Sequence, residues 1–141
     1  MATLTANLTV ALSVDGRVYD ANMDQTITVT EVENRRLKVP TGSEVQFLGV
    51  GGTVSLSTVT NIANLTVINQ DRKNRVRLRF EDGAGAEFHV VVEPQSAFVL
   101  GNEEYSNSTT GAAFAAFVSI AGIHAQFENK DGYIEYFIAE A

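Results

Sequence analysis

Cysteine and tryptophan are both missing from this 141-residue chain, and proline, histidine and methionine occur only twice each. Without cysteine there is no disulfide framework and no thiolate metal site. Stability has to come from packing or from contacts between copies. Without tryptophan, an aromatic sugar-binding face is left with Tyr19, Tyr105 and Tyr133 as its obvious candidates. Neither histidine, His89 nor His124, lies in a catalytic motif, and there is no G-x-S-x-G elbow to present a serine nucleophile. Both are read as surface strand residues, and no enzyme activity is expected. Basic residues are outnumbered, ten Lys and Arg against 17 Asp and Glu, for a formal net charge of −7. That balance makes free nucleic acid and anionic membranes poor partners. Long apolar runs are absent as well. The longest, Gly111 to Ile123, is too short to cross a bilayer as a helix. The opening MATLTANLTV has neither the basic nor the apolar region of a signal peptide, so folding in a cytoplasm is expected.

What the chain does have is β-branched and aromatic residues, with no long Lys/Glu-rich helical segment. The length fits one domain, residues 1–141, able to bury roughly 68–70% of its unfolded surface. No fixed-period repeat and no linker breaks it. Ala6, Leu8, Val10, Leu12 and Val14 alternate with polar or small neighbours, the pattern of a long half-buried strand. Asp15-Gly16 is a turn signal, Val18-Tyr19 a short second strand, and Thr26 to Thr30 a threonine-faced one. Pro40-Thr41-Gly42 turns the chain before a strand at Val45 to Leu48. Thr53 to Val59 is a further short strand. Gly101 to Thr110 is a polar loop. Gly111 to Gly122 fits a helical turn or a buried strand equally, followed by a strand from Ser119 to Glu128. Asn129-Lys130-Asp131-Gly132 then turns into a closing strand, Tyr133 to Ile138. Nine or ten short strands between turn signals predict an all-β fold, an antiparallel β-sandwich or barrel.

The centre of the pattern is Ile62 to Leu100. Val76, Leu78 and Phe80 alternate with Arg75, Arg77 and Arg79. After Glu81-Asp82-Gly83-Ala84-Gly85 a second run alternates Ala86, Phe88, Val90 and Val92 with Glu87, His89, Val91 and Glu93. A loop symmetric about Gly83 predicts Arg79 opposite Glu87, Arg77 opposite His89 and Leu78 opposite Phe88. Arg72, Lys73, Arg75, Arg77 and Arg79 hold half of the basic residues. They suit a nucleic-acid strip, a protein interface, or a solvated face of cross-strand ion pairs. Flanking glutamates and the lack of interleaved aromatics argue against the first. Asp15, Asp20 and Asp24, and Glu81-Asp82, are loop carboxylates without EF-hand spacing, so no specific metal site is assigned. Three Asn-x-Thr sequons, at Asn7, Asn64 and Asn107, matter only in a secretory pathway and are read as chance.

One stretch also resembles a known family. Leu65-Thr66-Val67-Ile68-Asn69-Gln70-Asp71 followed by Asn74-Arg75-Val76-Arg77-Leu78 is similar to small virion proteins of tailed bacteriophages. So are the proline turn into Phe98-Val99-Leu100 and the closing Tyr136 to Glu140. The resemblance covers roughly half of the chain and does not reach residues 1–60. It implies a head-decorating or cement protein with a jelly-roll-like β-sandwich, a homotrimer on the outer capsid surface of the virion. Its partners would be the major capsid protein and other copies of itself, with no cofactor and no catalytic residues. A phage tail or fibre component is an alternative, as is a carbohydrate-binding β-sandwich. The candidate contact residues are Phe114, Phe117, Val118, Ile120 and Ile123, whose apolar side chains fill every side of their segment, with Arg75, Arg77 and Arg79 setting orientation.

Overall fold

The structure, a computed structural model, describes residues 2–106 and 117–141. Among them there is no helix. There are thirteen strands: β1 (Ala2–Val14), β2 (Arg17–Val29), β3 (Glu31–Val39), β4 (Val45–Val50), β5 (Ser57–Val59), β6 (Asn64–Asn69), β7 (Val76–Glu81), β8 (Glu87–Val92), β9 (Ala97–Leu100), β10 (Glu104–Ser106), β11 (Phe117–Ser119), β12 (Gly122–Phe127) and β13 (Gly132–Glu140). Two sheets, ordered β5-β4-β12-β7-β8 and β3-β13-β6-β9, pack as a β-sandwich. The expected nine or ten strands fall short in part because β10 lies in the stretch read as a polar loop and β11 in the segment left open between helical turn and strand. The sandwich is antiparallel except for β5, which runs parallel to β4.

The strand pairs are nested. β3 pairs with β13, β4 with β12, β6 with β9, and β7 with β8, so a folded double ribbon wraps the core. The pairs β13·β6 and β12·β7 close it into two layers. Between the layers lie Val39, Phe47, Leu65, Val76, Leu78, Phe80, Ile123, Phe127, Ile134 and Tyr136, all 0–1% exposed. Alternation explains nearly all of these positions. Phe47 and Leu48 are adjacent yet both buried. A register irregularity against Ile123-His124 accounts for that, because a bulge turns the next side chain back to the same face. Phe80 stacks on Phe88 with ring centroids 4.5 Å apart, Phe98 tilts against Phe80, and Tyr105 meets Phe88 edge-on. This aromatic row seals the β8 side of the core.

The central hairpin keeps its predicted faces but not its register. Arg79 pairs with His89, Phe80 with Phe88, and Glu81 with Glu87, while Leu78 lies opposite Val90 and Arg77 opposite Val91. The slip is two residues, so inside and outside are conserved. Its cause is Asp82, whose carboxylate accepts hydrogen bonds from the backbone amides of Ala84 and Ala86 at 2.8 and 3.0 Å. That capped loop centres on Ala84 instead of Gly83.

The segment Asn69-Gln70-Asp71 to Asn74 carries the chain from one sheet to the other. Asn69 is fully buried. Its amide nitrogen donates to the carbonyls of Asn74 and Val92, and its Oδ1 accepts from the amide of Asp71. Asp71 Oδ1 in turn accepts from the amides of Lys73 and Asn74. Two short polar side chains, the buried Asn69 and the half-buried Asp71, thus satisfy backbone groups of a crossing whose outer side is open to solvent.

The amino-terminal pattern behaves differently from its reading as a half-buried strand. β1 and β2 pair over all thirteen residues through a two-residue turn at Asp15 and Gly16, both at positive φ. That is the hairpin turn whose twist suits the strands. The threonine-faced strand and the Val18-Tyr19 strand are one continuous element. At about 3.4 Å per residue the ribbon is about 40 Å long. Only its base is covered. Leu4, Ile27 and Val29 pack with Ala63, Phe137 and Ala139, on the outer side of β13. Thr30 N donates to Glu140 O at 2.7 Å and locks that base. Beyond it, the ribbon projects as an arm, largely exposed on both faces.

Candidate assembly surfaces

Cross-strand registry sorts the arm into two unlike faces. One holds Leu8 opposite Met23, Val10 opposite Ala21, Leu12 opposite Tyr19 and Val14 opposite Arg17. The other holds Asn7, Thr9, Ala11 and Ser13 opposite Asp24, Asn22, Asp20 and Val18. The first is apolar and uncovered: Leu12 is 59% exposed and Val10 56%. A two-stranded ribbon alone is marginally stable in water, and a contiguous apolar patch marks a contact surface. The alternation from Ala6 to Val14 was visible in the sequence. That no described residue lies against it was not.

The second surface is the outer face of β4-β12-β7-β8. Here Arg75, Arg77 and Arg79 meet carboxylates of the same face. Arg79 is the hub. Its Nε and Nη2 hold both oxygens of Glu44, at 2.8 Å for the closest, and its Nη1 reaches Glu81 and Glu87 at 2.8 and 3.0 Å. Arg77 joins Glu44 at 2.6 Å, and Arg75 takes Glu128 in a two-point contact at 2.8 Å. Arg75 is exposed and Arg77 half-buried, whereas the side chain of Arg79 is only 17% exposed. The face is therefore a self-matched network of cross-strand pairs, the third of the readings open to those arginines. Glu44 was not singled out in the sequence, because it approaches the ladder from the start of β4, more than thirty residues away.

Arg79 lies between the two histidines, with His89 on β8 and His124 on β12. Each bonds a glutamate: His89 Nε2 to Glu87 at 3.0 Å and His124 Nε2 to Glu81 at 2.9 Å. At Gly122, two residues before His124, a β-carbon would come within about 3 Å of Gln46 Nε2 and Glu81 Oε1, so a larger residue would have to displace the ends of these side chains. The bonds from Arg79 hold the Glu44 carboxyl below its ordinary value of 4.5 despite opposing desolvation. His124 and then Arg79 do the same for Glu81. A carboxyl lowered by folding takes up its proton first in the unfolded chain. Its contribution is complete above the unfolded value and is lost as pH falls through the folded one. Thermal unfolding followed from about pH 7 to about pH 3 should hold a steady midpoint down to the ordinary carboxylate range, then decline. Glu44→Gln should lower neutral-pH stability by about 1–2 kcal/mol and flatten part of the acid decline. An unchanged acid profile in this variant would remove Glu44 from the account.

The remaining sequence candidates separate. Ile120 and Ile123, expected at a contact between subunits, are core residues, 1% and 0% exposed. Their segment folds inward on β12, so the sandwich itself hides them. Phe117 is 64% exposed on β11, and Val118 beside it is half-buried opposite Tyr105. Phe114, the sequon at Asn107 and the rest of 107–116 lie outside the described residues. Asp20 and Asp24 sit on the polar side of the arm and Asp15 in its turn. No three His, Asp or Glu among the described residues come close enough to share a metal ion. Tyr19 is on the arm, Tyr133 under Arg36 on β13, and Tyr105 against Phe88 with its hydroxyl on Ala86 O, so the three tyrosines share no sugar-binding face. No family model, no curated protein and no solved structure matches this chain.

Proposed function

We propose that this chain is a structural assembly protein of a tailed-phage virion, a decoration or cement protein that binds the outer shell and associates with copies of itself, as a homotrimer. The observation that carries the reading is the arm, a ribbon about 40 Å long with one apolar face and no cover for it among the described residues. An element of that kind is stable only against another surface. The strand order β3-β13-β6-β9 over β4-β12-β7-β8 supports the jelly-roll part of the proposal, since nested antiparallel pairs are how two Greek keys are wound. The charge network favours the same view. It ties its arginines to its own glutamates, and leaves a face suited to orienting a contact more than to driving one.

The test replaces residues 6–25, the covered base being retained, with a two-residue turn. The intact chain should pellet with purified shells. The shortened chain should stay in the supernatant while unfolding at nearly the same temperature. Failure of the intact chain to bind shells at any concentration tried would sink the virion reading. Equal binding by both chains would move the contact away from the arm, towards the exposed Phe117.

A further inference from the structure

We infer that the apolar face of the arm is covered by a second copy of this chain, on the outer face of its β3-β13-β6-β9 sheet. Each copy gives one arm and receives one. The inference rests on the arm being the assembly element, as proposed above, but not on the shell.

The first argument is continuity. The arm face and the outer face of this sheet already fit each other inside one molecule. At the base, Leu4, Ile27 and Val29 of the ribbon pack on Phe137 and Ala139 of β13. The same ribbon face then runs past the end of its own sandwich with Leu8, Val10, Leu12, Val14, Tyr19 and Met23 exposed. The same sheet face goes on, uncovered, with Ile68 on β6 at 36% exposed and Val99 on β9 at 50%, beside a polar row in which Gln70 joins Arg36 to Glu135. Two halves of one kind of contact are thus each left open, and an arm from a second copy joins them.

The second argument is area. Beyond its base the ribbon face measures about 30 Å by about 10 Å, or about 300 Å². Two arms packed face to face would bury about 600 Å² in total, in the range of crystal contacts. Reciprocal exchange makes two arm-to-sheet contacts in a pair, about 1,200 Å², where stable specific interfaces begin. In a closed ring each neighbouring pair shares one such contact, about 600 Å², but every chain still gives one arm and receives one, so the burial per chain is the same and no arm is left open.

The third argument is charge. A chain of net charge −7 repels its copies at long range. The arm face in question carries no carboxylate. Asp20 and Asp24 point to the opposite side, and the only charged residue on the apolar side is Arg17 at the tip. The contact itself therefore brings no like acidic charges together.

The experiment uses the full chain in the absence of shells. Light scattering should give a molar mass of two or three chains. Leu12→Asp on the arm and Val99→Asp on the sheet, each exposed in the single chain, should both reduce it to one chain without altering the near-ultraviolet circular dichroism. A photo-crosslinking residue at position 12, in a mixture of light and isotope-labelled chains, should then map to β6 and β9 of the other chain. Crosslinks from arm to arm would overturn the exchange, as would a chain that is monomeric at all concentrations. An unaltered mass in both variants would do the same. A monomer that still pellets with shells would refute this inference and leave the virion reading standing. A multimer with the predicted crosslinks but no shell binding would do the reverse.

Discussion

Phe80→Ala should lower the free energy of unfolding by about 3–5 kcal/mol, the cost of deleting a buried ring and leaving its cavity. Phe80 is 0% exposed near the end of β7. It stacks on Phe88 and tilts against Phe98, so the truncation also removes the contact joining the two sheets on the β8 side. Collapse around the hole is limited, because the neighbouring rings belong to different strands held by separate ladders. The neighbour in sequence, Arg79, points the other way. Arg79→Ala should cost about 1–3 kcal/mol, more than an ordinary surface pair, because Glu44 is only 25% exposed and would lose its two-point partner, keeping only Arg77 of its two arginines. Urea unfolding of the two variants checks the pair. Equal losses would mean that β7 does not have the faces assigned to it.

Asn69→Ala should cost about 3–4 kcal/mol, a large effect for a polar side chain. The amide makes three hydrogen bonds to backbone groups of the crossing and of β8. Removing it leaves the carbonyls of Asn74 and Val92 and the amide of Asp71 without their partner, the Val92 carbonyl in the buried interior and the other two half-buried. Each such group costs about 1–3 kcal/mol if it stays unpaired. Asn69→Asp should be nearly as damaging, because a carboxylate cannot donate to the two carbonyls. A loss below about 1 kcal/mol in Asn69→Ala, measured by denaturant unfolding, would show that water takes over these bonds.

Much of the fold was written in local patterns. Period-two alternation placed Val76, Leu78 and Phe80 inside and the arginines outside, and the structure agrees. The alternation cannot report a shift of two residues, which preserves both faces. The register therefore followed the loop, where the Asp82 carboxylate and not symmetry about Gly83 set the centre. The polar pattern from Asn69 to Asn74 was conspicuous as a motif, but the role of the buried Asn69 in bridging the sheets depends on Val92, more than twenty residues away. Glu44 escaped notice for the same reason: hydrogen bonding to Arg79 is a matter of sheet order. Ile120 and Ile123 were misplaced because an apolar run says that burial is needed and not by what. In this chain the sandwich supplies it.

What the residues determined unaided is which side chains share a face, since the pleat alternates them whatever surrounds the strand. What the tertiary structure alone decided is which of those faces are covered. For Val76 to Phe80 the opposing sheet lies over them. For Leu8 to Val14 the same alternation ends in solvent, because the ribbon leaves the sandwich at Thr30 and extends beyond it. Burial depends on the distance to other parts of the chain, and that distance is set by how the strands are ordered in the sheets.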